Sequence, residues 1–383
     1  VSNAPRHGVK SEFGAIYNCL VTHARHNGID SYTTPRSVAD STLVVTNTIV
    51  RNSATNGIYT CAVDTRISDC VIAESAGTGV SLRQNDTTGT IQVPRVSNFL
   101  IRASTVSSNR NSGITLVFAN YNPALPNVPV WIEDCIVEDN ASLETGGGIY
   151  DASSGVRIDR CAIRRNRAGN SAGGVFLSNA RSPIIRYSSI IDNFASTNGG
   201  GLYVQSGIVQ GCVVQDNSCD LHGGGVFLFS GSLQNSTIVN NAAANQGGGT
   251  WGNATGSDVL NCIVYYNKAV VGSNTYRGLV SFSCTTPLVG GTGNISSPPN
   301  LAGYRNWRLV PGSPCIDVGS FEFAGGDYDL EGDPRIWGGG VDMGCDEFYP
   351  PDLGGPLSVE VECSTDRAVV GTPVSFQCNV DGR

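Results

Sequence analysis

Lysine is almost missing from this chain of 383 residues: Lys10 and Lys268 stand alone beside arginines scattered along the sequence. With a formal charge of −8 and no basic stripe to neutralise phosphates, a nucleic-acid partner is excluded. No apolar run reaches 18 residues, so no segment reads as a membrane span. Methionine occurs once and histidine four times. The thirteen cysteines show no CxxC or Cys/His spacing, which argues against a zinc site. The chain opens at Val1-Ser2-Asn3 without a signal peptide and stops abruptly at Arg383, as a processed chain or a piece of a longer protein would.

What is abundant is glycine, 48 residues, and one phrase that returns. From Asp134 to Asn267 it reads DCIVEDN…GGGIY, RCAIRRN…GGVFL, YSSIIDN…GGGLYV, GCVVQDN…GGGVFL, NSTIVNN…GGGTWG and NCIVYYN. Four weaker copies precede it, making about ten units. The closing glycines Gly148, Gly174, Gly201, Gly225 and Gly249 are spaced by 26, 27, 24 and 24 residues. Apolar stretches of four to six residues, β-branched and bounded by Gly and Asn, are strands rather than helices. One unit suits one coil of three short strands, each pairing with the coils above and below at about 4.8 Å. The fold expected is all-β: a right-handed, single-stranded parallel β-helix.

Equivalent residues of successive coils must then form ladders. Asn140, Asn166, Asn193, Asn217, Asn241 and Asn267 form one, at a turn where Asn tolerates a left-handed backbone. Cys70, Cys135, Cys161, Cys212 and Cys262, with Cys19 in looser register, form a small-residue ladder interleaved with Ser188 and Ser236. A third is glycine. The fourth is aromatic: Tyr150, Phe176, Tyr203, Phe227 and Trp251 each follow an aliphatic or Thr position, and strand alternation places them outward. An outward aromatic stripe would stack sugar rings or pack against another subunit. It would also be explained by cover from the chain's own loops, or by a register one residue off.

The I-x-x-N…G-G-G-I/V/L pattern over roughly residues 10–290 resembles pectin-lyase-like β-helices and the repeats of polymorphic outer membrane proteins. The string SPCIDVG (313–319), with DLEGDPR (329–335) and VDMGCDEF (341–348), is similar to the C-terminal signature of bacterial choice-of-anchor surface proteins. VSFQCNVDG near the end resembles the start of an Ig-like or PKD-like β-sandwich module. These resemblances imply secretion and display outside a bacterial cell or on its surface, without fixing a reaction. The chain divides accordingly into a β-helix (1–300), a loop-rich C-terminal cap (301–350) and the beginning of the next module (351–383). Cys315 and Cys345 bracket the signature, and a bridge between them would staple the cap; Cys363 and Cys378 would pair within the module.

Chemistry is sparse. Asp192 and Asp216 fall at equivalent positions of adjacent coils, close to the carboxyl separation of a retaining glycosidase, and are the weak catalytic candidates. Stacked carboxylates favour a cation such as calcium over catalysis, and a solvated turn explains them more simply still. Asp327, Asp329, Glu331 and Asp333 imitate the first half of a calcium loop, but Gly338 stands where the closing Glu belongs. His222 lies beside one glycine run without an acid–base partner in the repeats around it, and neither lysine is placed as a lyase base. No cofactor is required, and calcium is the one ion these carboxylates suggest.

The sequence therefore favours a non-enzymatic extracellular surface or matrix rod, used for adhesion or assembly through the lateral aromatic stripe. Its partners would be other protein subunits, including copies of itself, or surface polysaccharide. The alternative is a polysaccharide-binding or polysaccharide-degrading β-helix, a lyase or glycosidase.

Overall fold

A computed structural model describes residues 6–11, 14–31, 42–62, 64–84, 98–118, 130–152, 155–178 and 182–350, and the strands 358–363 and 376–381; residues 84 and 118 and these last strands are described by backbone alone. The repeat winds as a right-handed parallel β-helix. Three sheets run its length, each of eleven strands in parallel register. The eleventh coil, one more than the repeated phrase counts, is the degenerate Thr275–Tyr276, Leu279–Ser281 and Cys284–Thr285, whose glycine run is reduced to Gly272.

One or two aliphatic residues per short strand point inward, such as Ile149, Ile158 and Ile163 in a single coil, or Val175 with Leu177 on one strand. Together these make one continuous core. A fourth sheet of five two-residue strands, Ala141–Ser142 to Ala242–Ala243, follows the asparagine ladder. Its interior is too narrow for anything larger than Ala195, Cys219 and Ala243. That accounts for Cys219, which the repeat leaves unexplained.

The asparagine ladder is present, but its chemistry differs from the expectation. The residue before each Asn takes the left-handed backbone: Asp139 (φ 56°), Arg165 (φ 53°), Asp192 (φ 57°), Asp216 (φ 54°), Asn240 (φ 57°) and Tyr266 (φ 59°). The turn thus swings the ladder Asn inward, where it is buried. Each Oδ1 accepts from the backbone N–H and from Nδ2 of the Asn one coil earlier; Asn193 receives both from Asn166 at 3.0 Å. Each Nδ2 also donates to a main-chain carbonyl, as Asn193 does to Ile163 at 2.9 Å. Asn109 and Asn274 extend the ladder at its two ends.

The cysteine ladder is a hydrogen-bonding column as well as a packing one. Ser or Thr Oγ accepts the backbone N–H of the residue one coil earlier, as Ser188 does from Cys161 at 3.0 Å and Ser283 from Cys262 at 3.0 Å. It donates back to the carbonyl two residues before it, as Ser188 does to Arg186 at 2.8 Å. Cys Sγ makes the same return bond, Cys135 to Glu133 at 3.0 Å. Thr48, Ser104 and Ser283 are therefore members too, so Cys, Ser and Thr exchange along one column.

The C-terminal segment does more than close the end. Residues 287–295 cross the last coil, where Thr285 and Ile295 bond each other's strand and Val289 packs on the core. Leu301–Tyr349 then doubles back along the outer face of the third sheet. The hairpin Leu301–Gly303 and Asn306–Leu309 reaches back to Asp192. Ser320, Phe323 and Ala324 bond Asn261 and Asn235 at the sheet corner, and Cys345 N–H bonds Thr237.

The signature residues build the buried centre of this segment. Arg335, 2% exposed, lies 3.8 Å from Glu347 and donates to the carbonyls of Asp342 and Asp346. Burial pushes the Asp342 carboxyl up to about 6 and the Glu347 carboxyl up to about 8, the nearby Arg335 opposing both shifts. Folding therefore retains protons that the unfolded chain has already released. Stability from these groups is full below pH 4 and is lost as pH rises to about 8. The side-docked segment is expected to be more protected at pH 5 than at pH 8, by a few kcal/mol in order of magnitude. Hydrogen exchange at 305–349 checks this, and Glu347→Gln should flatten the dependence.

All eleven described cysteines are free, including Cys315 and Cys345, so the expected bridge between these two is not formed. The fold separates their uses. Cys315 joins Cys284 of the last coil in a small apolar cluster, whereas Cys345 is anchored over Thr237. Ser358–Cys363 and Phe376–Asp381 form an antiparallel hairpin. The Cys363 and Cys378 side chains lie outside the described residues.

Candidate functional site

The aromatic column occupies the outer face of the first sheet. Ile149, Val175, Leu202 and Val226 are fully buried beneath it, which settles the register as expected. Tyr150, Phe176, Tyr203, Phe227 and Trp251 pair strand to strand, and Tyr276 continues the column. Ring centroids follow one another at 5.3, 5.3, 4.6 and 4.2 Å, with Phe227 and Trp251 only 4° from parallel. In-register parallel pairing dictates this, because one coil step of about 4.8 Å is close to the optimum for stacked rings.

Stacking has a consequence for recognition. Ring faces that meet each other along the rod axis are consumed, and the inner rings offer their edges to the outside. Sugar rings bind over aromatic faces, whereas ring edges carry the positive end of the quadrupole. The C-terminal segment lies on the later coils of the third sheet, away from this stripe; Tyr150, Phe176, Tyr203 and Trp251 are half-buried, and Phe227, stacked between two rings, is buried at 7% exposure. Beside the stack, Tyr203, Gln205, Ser206, Phe229 and Ser230 line a shallow depression of about 350 Å³. Phe229, two residues beyond Phe227, is half exposed there.

The acidic candidates are occupied. Arg305, from the turn of the C-terminal hairpin, bonds both oxygens of Asp192 at 2.9 and 3.1 Å and Asp216 at 2.8 Å. Tyr304 adds its hydroxyl to Asp216 at 3.2 Å. The stacked carboxylates do demand a cation, and the chain supplies a guanidinium. Burial raises the Asp192 carboxyl, with Arg305 opposing. One coil lower, Arg165 binds Asp139 through two bonds of 2.9 Å, so this column is an ion-pair ladder and not an acid–base pair.

The imitation calcium loop is also used internally. Asp329, 2% exposed, accepts the backbone N–H groups of Glu331, Asp333 and Glu347. Glu331 instead binds Arg308, and Asp327 is exposed. Among the described residues no group of three metal-ligating side chains converges. His222 sits beside Trp251 at 6.1 Å, in a column with Asn198 and Gln246, and burial lowers its pKa. Lys268 is exposed.

Fold and surface together define a right-handed parallel β-helix whose first sheet carries a column of stacked aromatics on its outer face. A family model described as right handed beta helix region matches residues 89–269. No curated protein matches. Among solved structures the chain is similar to that described as the crystal structure of pectate lyase Pel9A, at 13% identity and a TM-score of 0.42, over 86% of this chain and 80% of that one.

Proposed function

We propose that this chain is a non-enzymatic extracellular rod, displayed on a bacterial surface or in its matrix, that assembles with a protein subunit through the aromatic stripe. The observation that carries the reading is the edge-on stack on the first sheet, away from the C-terminal segment, together with the pairing of Asp192 and Asp216 to Arg305. A partner suited to ring edges presents carbonyl or carboxylate oxygens, or aromatic faces of its own. The first occupant to test is a second copy of the chain, which brings aromatic rings of its own to the stripe. The module expected after residue 350 would extend the rod as a further extracellular domain.

Two measurements test this. Incubation with acidic and neutral polysaccharides, with and without calcium, is expected to release no fragments; release would overturn the non-enzymatic reading. Sedimentation of the full chain into the millimolar range is expected to show association that weakens at least tenfold in Tyr203→Ser with Phe229→Ser. A chain that stays monomeric throughout removes the second copy as occupant.

A further inference from the structure

A second surface feature lies on the opposite side of the third sheet from the stripe, where the C-terminal hairpin overhangs the rod. It is a cavity of about 310 Å³ whose walls include Gln215, Asn240, Tyr266, Tyr304, Arg305 and Asn306. Its size falls at the small end of ligand cavities. Tyr266 is 47% exposed and Tyr304 75% exposed, so both offer ring surface to a ligand. Tyr266 is held by an edge contact with Tyr265 at 4.8 Å, and its left-handed backbone turns it out of the asparagine column.

Gln215, among the lining residues, carries the unpaired atom of this cavity. Gln215 is 1% exposed, and its Oε1 has no hydrogen-bond partner, although its Nε2 donates to Asp216 at 3.3 Å. A buried amide oxygen left unpaired costs about 1–3 kcal/mol, which a ligand donor would recover. A hydroxyl both donates and accepts, so it satisfies this amide in either orientation. Asn240 and Asn306 add planar amides of the kind that bind vicinal hydroxyls.

Charge selects among hydroxyl-bearing ligands. Arg305 is the one cation of the wall, and it is already committed to two carboxylates, Asp192 and Asp216. No free positive charge remains for a uronate or sulfate, and the surplus carboxylate repels one.

We propose that the cleft between the C-terminal hairpin and the third sheet is a binding site for a neutral saccharide, one sugar ring lying between Tyr266 and Tyr304 with a hydroxyl donated to Gln215 Oε1. The site is formed only when residues 301–309 are docked, so Arg305 acts as a positioning residue for it. Because this face is separate from the aromatic stripe, glycan retention and subunit assembly can proceed on one rod together.

The test is calorimetric titration of the full chain with neutral gluco-, galacto-, manno- and xylo-oligosaccharides, alongside oligogalacturonate. At least one neutral probe is expected to bind, with oligogalacturonate tenfold weaker or undetectable. Tyr304→Ala and Tyr266→Ala should each lose at least tenfold in affinity, and Gln215→Leu likewise, while Tyr203→Ala on the stripe leaves binding unchanged. Tyr304 is exposed enough that its substitution tests the site even where Gln215→Leu fails to fold. Preference for the uronate, no neutral binding at millimolar probe, or binding lost in Tyr203→Ala and kept in Tyr304→Ala would each overturn the assignment.

Discussion

Replacing Asn193 by Leu is expected to cost about 4 kcal/mol, near the top of what single substitutions do. The side chain is 1% exposed and sits mid-ladder. Its Oδ1 takes two N–H groups from Asn166, and its Nδ2 serves the carbonyls of Ile163 and Ile191 and Oδ1 of Asn217. Leucine restores none of these. It strands two buried donors of Asn166, each worth roughly 1–3 kcal/mol when unpaired, and takes its side-chain donor from the Ile163 carbonyl, while the Ile191 carbonyl keeps the Arg165 N–H at 3.1 Å. Because each coil touches only its neighbours, the damage also weakens coupling between the two halves of the rod. Urea unfolding should therefore show a lower midpoint and a broader transition. A loss below about 1 kcal/mol would mean that the ladder is incidental to stability.

Gly200→Ala is the second large effect, expected at about 3 kcal/mol or more. Gly200 is the middle glycine of its run, and a methyl there would land on the carbonyl oxygens of Ser218 and Gly224 in the next coil. Those oxygens belong to backbone paired in both directions, so neither can move without opening the coil spacing. Gly339→Ala is the matched control: nothing lies within 4 Å of the added atom, and unfolding midpoints should barely change. Equal effects at the two sites would sink the steric account.

The two variants mark what the repeat encodes. The third glycine of each run, such as Gly201, lies under the next coil's Gly225 carbonyl and beside the Asn217 amide. The glycine and asparagine ladders thus meet inside one turn, although they stand many residues apart in sequence. Both columns are visible as repeats because every coil solves the same local problem. The outward register of Tyr150 to Trp251 is legible for the same reason, since alternation with buried aliphatics fixes it. Ring orientation is not legible: it follows from stacking distances that exist only once the coils are wound.

The ionic groups are less legible. Asp192 and Asp216 are rightly placed one coil apart by the repeat, yet their partner, Arg305, comes from 113 residues beyond Asp192 and from a segment with no repeat. Cys315 likewise meets Cys284 and not the cysteine that its local signature suggests.

Sequence alone determined the solenoid, its ladders and the face that carries the aromatics, because periodic residues report contacts between neighbouring coils that differ by a constant step. Tertiary structure alone decided where the aperiodic C-terminal segment lies, which carboxylates it neutralises and which cleft it forms. Those contacts depend on one segment docking once along the rod, and a contact made once leaves no period to read.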